Sequence, residues 1–261
     1  MELGLQGRAA LVAGASRGLG RGCAEALAAE GARVAIAARD REALERAREE
    51  IAAATGGEVA AVVVDVAAEP ERFVREAAEA VGGCQILVAN AGGPRIGPFE
   101  ELSDDDFRAA LELNFFSTIR MTRAALPLMR EAGYGRVIVI GSSSVRQPIP
   151  NLMLSNAVRT GVAGWAKTLS LELAPEGITV NTVVPGRFLT DRVRELIEDR
   201  RRRSGLDEDA AIGEEAAAIP MGRFGDPREL GDVVAFLASE RAAYITGAAY
   251  QVDGGLIRGL P

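Results

Sequence analysis

Short apolar runs alternate with longer segments of helical pattern along the whole chain. The apolar runs lie at 8–13, 33–38, 59–64, 86–89, 136–140, 178–183 and 248–252. Most are continuously apolar, which is typical of strands that are covered on both faces. Seven such strands, separated by helices, predict a mostly parallel sheet with helices on both faces. No linker or repeat divides the chain, so we expect one doubly wound α/β domain over residues 1–261.

Capping residues mark the starts of several of the predicted helices. Asp40 precedes a segment whose apolar residues recur at helical spacing. Ser103, with Asp106 three residues later, forms a capping-box pattern at the start of a long helix. Further helices are expected at 67–81, at 155–174 and after Asp226-Pro227.

A glycine-rich turn follows directly on the first predicted strand. Gly14-Ala-Ser-Arg-Gly18-Leu-Gly20 is a GxxxGxG motif. Glycines are required where the chain turns tightly, where a pyrophosphate approaches the backbone and where a helix packs closely on a strand. The helix that follows offers free N–H groups to phosphates. The alternative is an ordinary tight turn, but the motif in this position predicts a Rossmann-type dinucleotide site, with Ser16, Arg17 and Leu19 in the binding loop.

Composition excludes several classes of function. The 261 residues include 30 Lys and Arg against 37 Asp and Glu, a net charge of −7, which argues against a general nucleic-acid binder. There is no histidine and there are two cysteines, so neither a metal cluster nor a histidine-dependent mechanism is expected. The apolar runs are too short to span a membrane, and residues 1–7 do not resemble a signal peptide. We therefore expect a soluble cytoplasmic protein without nucleic-acid or membrane partners.

The segment 187–225 is polar and charged, and it follows the carboxyl end of the sixth strand. Ligands of open α/β sheets bind at that edge, so this segment is a candidate lid. The four arginines at 200–203 could bind an acidic partner, although a solvated helix face explains them as well.

The motifs in their order resemble those of the short-chain dehydrogenase/reductase family over nearly the whole chain. Among its members the sequence looks most like the 3-oxoacyl-[acyl-carrier-protein] reductases. After the glycine motif, the residues that match family landmarks are Asp65-Val66, Asn90-Ala91-Gly92, Asn114, Ser142, Pro185-Gly186 and Thr190.

The resemblance implies a role for each of these residues. Asp65 and Val66 would contact adenine, although Asp65 could instead cap the next helix. Asn90, Ala91 and Gly92 would support the sheet and line the cofactor site, or Asn90 could be a simple turn residue.

Further along the chain, Pro185-Gly186 would flank the nicotinamide, and Thr190 would bind its carboxamide. Asn114 and Ser142 match catalytic residues. The family usually forms dimers or tetramers through the Asn114 helix and the 155–174 helix, so the resemblance also implies a homo-oligomer.

One landmark of the family is replaced. Its active site has a Tyr and a Lys thirteen and seventeen residues beyond the catalytic Ser, and counting from Ser142 gives Ser155 and Arg159. At i and i+4 these two side chains share one helix face. The phenol and the amine are absent, however, so the standard proton donor of the family is missing.

Three functions are compatible with this pattern. The first is an NAD(P)-dependent oxidoreductase that acts on a carbonyl/alcohol or acyl substrate and has an atypical active site. The second is a non-catalytic cofactor-binding sensor or partner subunit. The third is a different reaction in a retained scaffold, in which Arg159 would bind an anionic substrate.

The sequence also predicts which cofactor is preferred. An NAD site carries an acidic residue at the end of the second strand, whereas here Arg39 follows that strand and Arg17 lies in the glycine loop. Two guanidinium groups would pair with a 2′-phosphate. As a helix cap, Asp40 would point away from the ribose. We therefore expect NADP(H) to be preferred over NAD(H).

Overall fold

Seven parallel strands form one sheet at the centre of the molecule. The computed structural model describes residues 2–190, 193–194, 197, 201 and 208–259. The order of the strands is β3-β2-β1-β4-β5-β6-β7, so the predicted doubly wound α/β architecture is confirmed. The strands are β1 Ala9–Val12, β2 Arg33–Ala38, β3 Val59–Val63, β4 Ile86–Ala89, β5 Gly135–Ile140, β6 Ile178–Pro185 and β7 Ala249–Val252.

Strand β1 is the centre of the core. It pairs with β2 through Val12 and Ile36 and with β4 through Val12 and Val88. All four of its residues are fully buried, and they face the two sides of the sheet alternately. Burial on both faces explains why the strand reads as a continuous apolar run.

Helices cover both faces of the sheet. The α1, α2 and α8 helices contribute to the core on one face, and α3, α5 and α6 contribute to the core on the other. No helix in the described residues is long and apolar enough to cross a membrane. The helices are α1 Gly18–Ala29, α2 Arg41–Thr55, α3 Pro70–Val81, α4 Asp104–Ala110, α5 Ser117–Glu131, α6 Met153–Leu173, α7 Glu208–Ala217 and α8 Pro227–Ala238.

Two of the expected helices differ from the sequence pattern. The third helix begins at Pro70 instead of residue 67, because Asp65 accepts a hydrogen bond from Ala67 N in a turn that precedes the helix. The helix after Ser103 starts with the predicted capping box, but it widens into a π-helical turn over Leu111–Phe116. Such turns are frequent at functional sites, and this one carries Asn114.

The α1 and α8 helices cross at a contact between glycines. A Cβ atom at Gly22 would lie 2.6 Å from the carbonyl carbon of Pro227, and one at Gly231 would lie 2.8 Å from the carbonyl carbon of Gly22. These two backbones therefore approach more closely than any side chain would allow. The contact fixes α1, which follows the glycine loop, against α8.

We predict that Gly22→Ala destabilises the fold by about 1–3 kcal/mol, because the added methyl group overlaps the backbone of α8. Gly213→Ala in α7 is the matched control, since a Cβ atom there has no neighbour within 4 Å. The control should be neutral or stabilising by up to about 1 kcal/mol. Urea unfolding of both variants measures the difference, and equal stabilities would contradict the close contact.

Candidate active site at the carboxyl edge of the sheet

The order of the strands reverses between β1 and β4, and ligands of open α/β sheets bind outside the carboxyl ends of the strands at such a point. Four segments singled out from the sequence meet at this edge. They begin at Gly14 after β1, Asn90 after β4, Ser142 after β5 and Gly186 after β6.

The glycine loop has the geometry of a phosphate cradle. Gly14 and Gly18 adopt positive φ angles of 61° and 59°, a conformation that favours glycine. A Cβ atom at Gly20 would lie 2.7 Å from Asn90 Nδ2, so no larger residue fits there. The α1 helix starts after Arg17 without a side-chain cap and has no acidic residue in its first turn. Its N-terminus is therefore suited to an anion.

Asn90 joins the ends of β4 and β1. Its Nδ2 donates to the carbonyl oxygens of Ala13 and Gly14 at 3.1 and 3.0 Å. The amide thus fixes the first residues of the glycine loop. Asn90 lies directly before Ala91 and Gly92, whose carbonyl oxygens accept hydrogen bonds from other site residues.

The ends of β2 and β3 lie beside the glycine loop. Arg39 follows β2, its side chain is 78% exposed, and its guanidinium lies 3.8 Å from the Asp65 carboxylate. Asp40 accepts a hydrogen bond from Ala43 N, so its prediction as a helix cap is confirmed. Arg17 is exposed on the loop after the neighbouring strand. Val66 is buried.

The segment after β6 returns over the glycine loop. Thr190 lies close to Gly18, since a Cβ atom there would be 3.3 Å from the Thr190 methyl group. Gly186, after Pro185, packs against Asp253 so tightly that a Cβ atom has no room. Of the predicted lid, residues 191–192, 195–196, 198–200 and 202–207 lie outside the described residues, as do three of the four arginines at 200–203.

Asn114 and Arg159 donate hydrogen bonds to the carbonyl oxygens of two consecutive residues after β4. Asn114 Nδ2 donates to the carbonyl oxygen of Gly92 at 2.9 Å, and Arg159 Nη2 donates to that of Ala91 at 3.3 Å. Arg159 Nη1 also donates to Ile140 at the end of β5, at 2.6 Å. Arg159 thus joins the ends of β4 and β5.

The environment of Arg159 lowers its basicity but keeps its charge. Burial of the guanidinium lowers its pKa to about 10. The group therefore remains protonated at neutral pH. It places a fixed positive charge beneath the edge where Ser142 lies.

Three buried polar atoms in this region lack a hydrogen-bond partner, and among the described residues they are the full set of such side-chain atoms. They are Asn114 Oδ1, Ser144 Oγ and Arg159 Nε. Buried polar groups are normally paired. An unpaired acceptor, hydroxyl and donor at one edge of the sheet therefore fit a site that binds a polar ligand or water.

The residues Ser142-Ser143-Ser144 form a serine turn after β5, and a hydrogen bond within the turn orders it. Ser142 Oγ accepts from Ser144 N at 3.1 Å. Ser155 is half-buried in the first turn of α6, and its side chain makes no hydrogen bond within the described part of the chain. The structure brings Arg159 to the strand ends, whereas Ser155 and Ser142 form no hydrogen bond with each other.

Two further residues of the site were not singled out from the sequence. Ser144 belongs to a run of three serines in which no pattern distinguishes one from another. Asn156 exchanges two hydrogen bonds with the backbone of Ile149, at 3.2 and 2.9 Å, and so holds the loop before α6. An amide on a helix gives no signal of such a role.

A family model described as enoyl-(acyl carrier protein) reductase matches residues 14–257. The chain belongs to the short-chain dehydrogenase/reductase family. The match begins at Gly14 and includes every strand end described above. It confirms the family that the order of the motifs indicated.

Individual members of the family are similar to this chain over almost their whole length. The 3-oxoacyl-[acyl-carrier-protein] reductase FabG of Escherichia coli is 38% identical over 97% of this chain and 99% of its own. Glucose 1-dehydrogenase of Gluconobacter oxydans is 35% identical over 96% of this chain and 92% of its own.

Among solved structures, L-sorbose reductase of Gluconobacter frateurii, in complex with NADPH and L-sorbose, superposes with a TM-score of 0.95. It is 32% identical and covers 100% of both chains. The chain is therefore a short-chain dehydrogenase/reductase-type oxidoreductase by family.

We predict that Asn90→Ala lowers the free energy of unfolding by about 1–3 kcal/mol, because the glycine loop loses two hydrogen bonds from the amide. Gln147→Ala is a suitable control. Gln147 is exposed, and its side chain makes no hydrogen bond to any described residue. Chemical denaturation of both variants decides the matter, and a stability for Asn90→Ala equal to that of the control would contradict the proposed bracing.

Proposed function

We propose that this protein is an NADP(H)-dependent oxidoreductase that transfers hydride between the nicotinamide and a carbonyl/alcohol substrate. The observation that carries the proposal is the uncapped start of α1 behind a glycine loop braced by Asn90. The similarity to FabG favours a 3-oxoacyl substrate, and the similarity to L-sorbose reductase favours a sugar. Both are carbonyl compounds.

The preference for the 2′-phosphate rests on Arg17 and Arg39. They follow neighbouring parallel strands and are both exposed. Within the described part of the chain, the one ion pair of Arg39 is a long one with Asp65, and an ion pair this exposed is weak. A phosphate group is a better partner for a guanidinium because it can accept two hydrogen bonds. The NADPH bound to L-sorbose reductase agrees with this preference.

For the rest of the cofactor we propose that the adenine lies against Asp65 and Val66. Gly14, Ser16, Gly18, Leu19 and Gly20 hold the pyrophosphate. Asn90, Ala91, Gly92, Pro185, Gly186 and Thr190 line the nicotinamide half.

We predict that Arg39→Ala raises the Kd for NADPH about 10- to 100-fold and leaves the Kd for NADH within about threefold, because only NADPH offers a charged partner. Arg75→Ala removes an exposed arginine on α3 and serves as the control. Fluorescence titration of both cofactors measures the constants. An equal rise of the Kd for both cofactors in Arg39→Ala, or tighter binding of NADH than of NADPH by the unaltered protein, would contradict the proposal.

The residues that would surround the substrate carbonyl are Ser142, Asn114, Ser155 and Arg159. When bound, the nicotinamide supplies the hydride. Ser142 donates a hydrogen bond to the carbonyl oxygen as negative charge develops there, and Arg159 stabilises that charge from beneath. Asn114 presents its free Oδ1 to a water molecule in the site.

The transfer of a proton to the substrate oxygen is the difficult step in this site. An aliphatic hydroxyl such as that of Ser155 is far less acidic than a phenol, and it is several ångströms shorter. Arg159 remains protonated at working pH and is held by two backbone carbonyls, so it cannot pass a proton on. Water therefore supplies the proton. The loss of a positioned general acid slows the reaction by roughly 10²–10⁴-fold.

We predict weak turnover of simple ketones by the unaltered protein. The double change Ser155→Tyr with Arg159→Lys should raise turnover of at least one ketone, by up to roughly 10²–10⁴-fold. The measurement is NADPH oxidation with a panel that contains a 3-oxoacyl thioester, a ketose and a small cyclic ketone.

Ser155→Ala is the control for this test. It should change turnover by less than about tenfold, since Ser155 is not the proton donor. A rate for the unaltered protein that is normal for the family, or a large loss in Ser155→Ala, would contradict this assignment.

The same family membership supports a homo-oligomer, a dimer or a tetramer, in the cytoplasm. Leu171 on α6 is 66% exposed and Phe116, just before α5, is 38% exposed, as expected of residues that a second subunit covers. We also propose that the segment 187–225 closes over the substrate.

A further inference from the structure

One cavity of the described chain is lined by none of the residues that we assign to the cofactor. It has a volume of about 250 Å³ and lies between α6 and the strands β6 and β7. Arg146, just after the serine turn, lines one end of it. Lys167 on α6 and Gly247 before β7 also line it, and Thr182 of β6 belongs to its wall.

The polar groups of this cavity are cationic and lack acidic partners. The residues of the described chain that line it include no carboxylate. Lys167 Nζ donates to the carbonyl oxygen of Gly247 at 3.1 Å and makes no ion pair with any described residue. The Arg146 guanidinium has neither a hydrogen bond nor an ion pair within that same part of the chain.

The Thr182 side chain is a second indication, besides the two cations, that the cavity binds a ligand. The residue is 4% exposed and lines the cavity. Its methyl group faces Gly141. Its hydroxyl has no hydrogen-bond partner among the described residues. The hydroxyl is not one of the buried unpaired atoms, so it is open to the cavity and available to a molecule there.

A smaller cavity beside the end of β7 differs, because its arginines are paired with carboxylates. Its volume is about 90 Å³, and Arg187 and Arg223 line it. There Arg187 is paired with Glu215 and Arg223 with Glu229. The arginines of the small cavity are neutralised by the protein itself, whereas the cations of the larger cavity are not.

We propose that the cavity between α6 and β7 binds a small phosphate-bearing anion. Arg146 and Lys167 supply the positive charge, and the Thr182 hydroxyl supplies a hydrogen bond. A phosphate group matches this set, because it accepts several charge-assisted hydrogen bonds at once. The volume also admits a phosphate ester with a short organic part. The bound anion would connect the end of the serine turn to α6.

The sequence permits a direct test, because Lys167 is the only lysine of the chain. Reductive methylation with ¹³C-formaldehyde labels Lys167 Nζ and the terminal amine and leaves the positive charge of both. The Lys167 methyl signal is followed by NMR during titration with inorganic phosphate at constant pH and ionic strength. The terminal amine is the internal reference. The readout is local to the cavity and independent of cofactor binding or turnover.

We expect a saturable shift of the Lys167 signal with a Kd of about 1 mM or tighter. Arg146→Gln should raise this Kd at least about tenfold, and Thr182→Val should raise it roughly three- to tenfold. Arg123→Gln, an exposed arginine on α5 with the same change of charge, should leave it unchanged.

A parallel titration with glycerol 3-phosphate distinguishes the two sources of phosphate. Tighter binding of the ester indicates an organic phosphate, and equal binding indicates the free ion. A linear response that chloride reproduces would overturn the proposal, as would the same Kd in Arg146→Gln and Arg123→Gln.

Discussion

The pairing of β1 with β4, secured by the Asn90 amide, is the constraint on which the rest of the site depends. Parallel strands place their carboxyl ends at one edge, and the reversal of strand order leaves a crevice there. Asn90 then fixes the glycine loop to β4 through two hydrogen bonds. The close contact of Gly22 with α8 holds the helix that follows the loop. Together these contacts direct the N-terminus of α1 at the crevice.

In the reaction that we propose, the site relies on a charge instead of an acid. Arg159 joins the ends of β4 and β5 through the carbonyls of Ala91 and Ile140, so its guanidinium is anchored in the scaffold. An anchored cation can stabilise developing negative charge, but it cannot carry a proton. The same anchoring argues against the alternative in which Arg159 binds an anionic substrate through its two terminal nitrogens, because both already donate to the backbone.

The sequence predicts the scaffold well because local signals and long-range structure agree there. Continuous apolar runs correspond to buried parallel strands, and the Ser103–Asp106 capping box is present where the pattern placed it. The π-helical turn at Leu111–Phe116 could not be predicted, since its wider spacing leaves the local pattern ambiguous. The sequence also could not predict which way the Arg159 side chain points or that the Ser144 hydroxyl is unpaired. Both depend on which backbone carbonyls the strand ends present, and that is a property of the assembled sheet.

Hydrogen exchange measured by mass spectrometry, with and without NADPH, would show whether the cofactor binds at the loop and strand end that Asn90 joins. We expect slower exchange of the backbone amides at residues 14–20 and 90–92, because the cofactor covers the loop and strand end that Asn90 holds together. We expect no change at residues 130–134, which precede β5 at the opposite edge of the sheet. Unchanged exchange at residues 14–20 under saturating NADPH, or protection confined to the opposite edge, would contradict this placement of the cofactor.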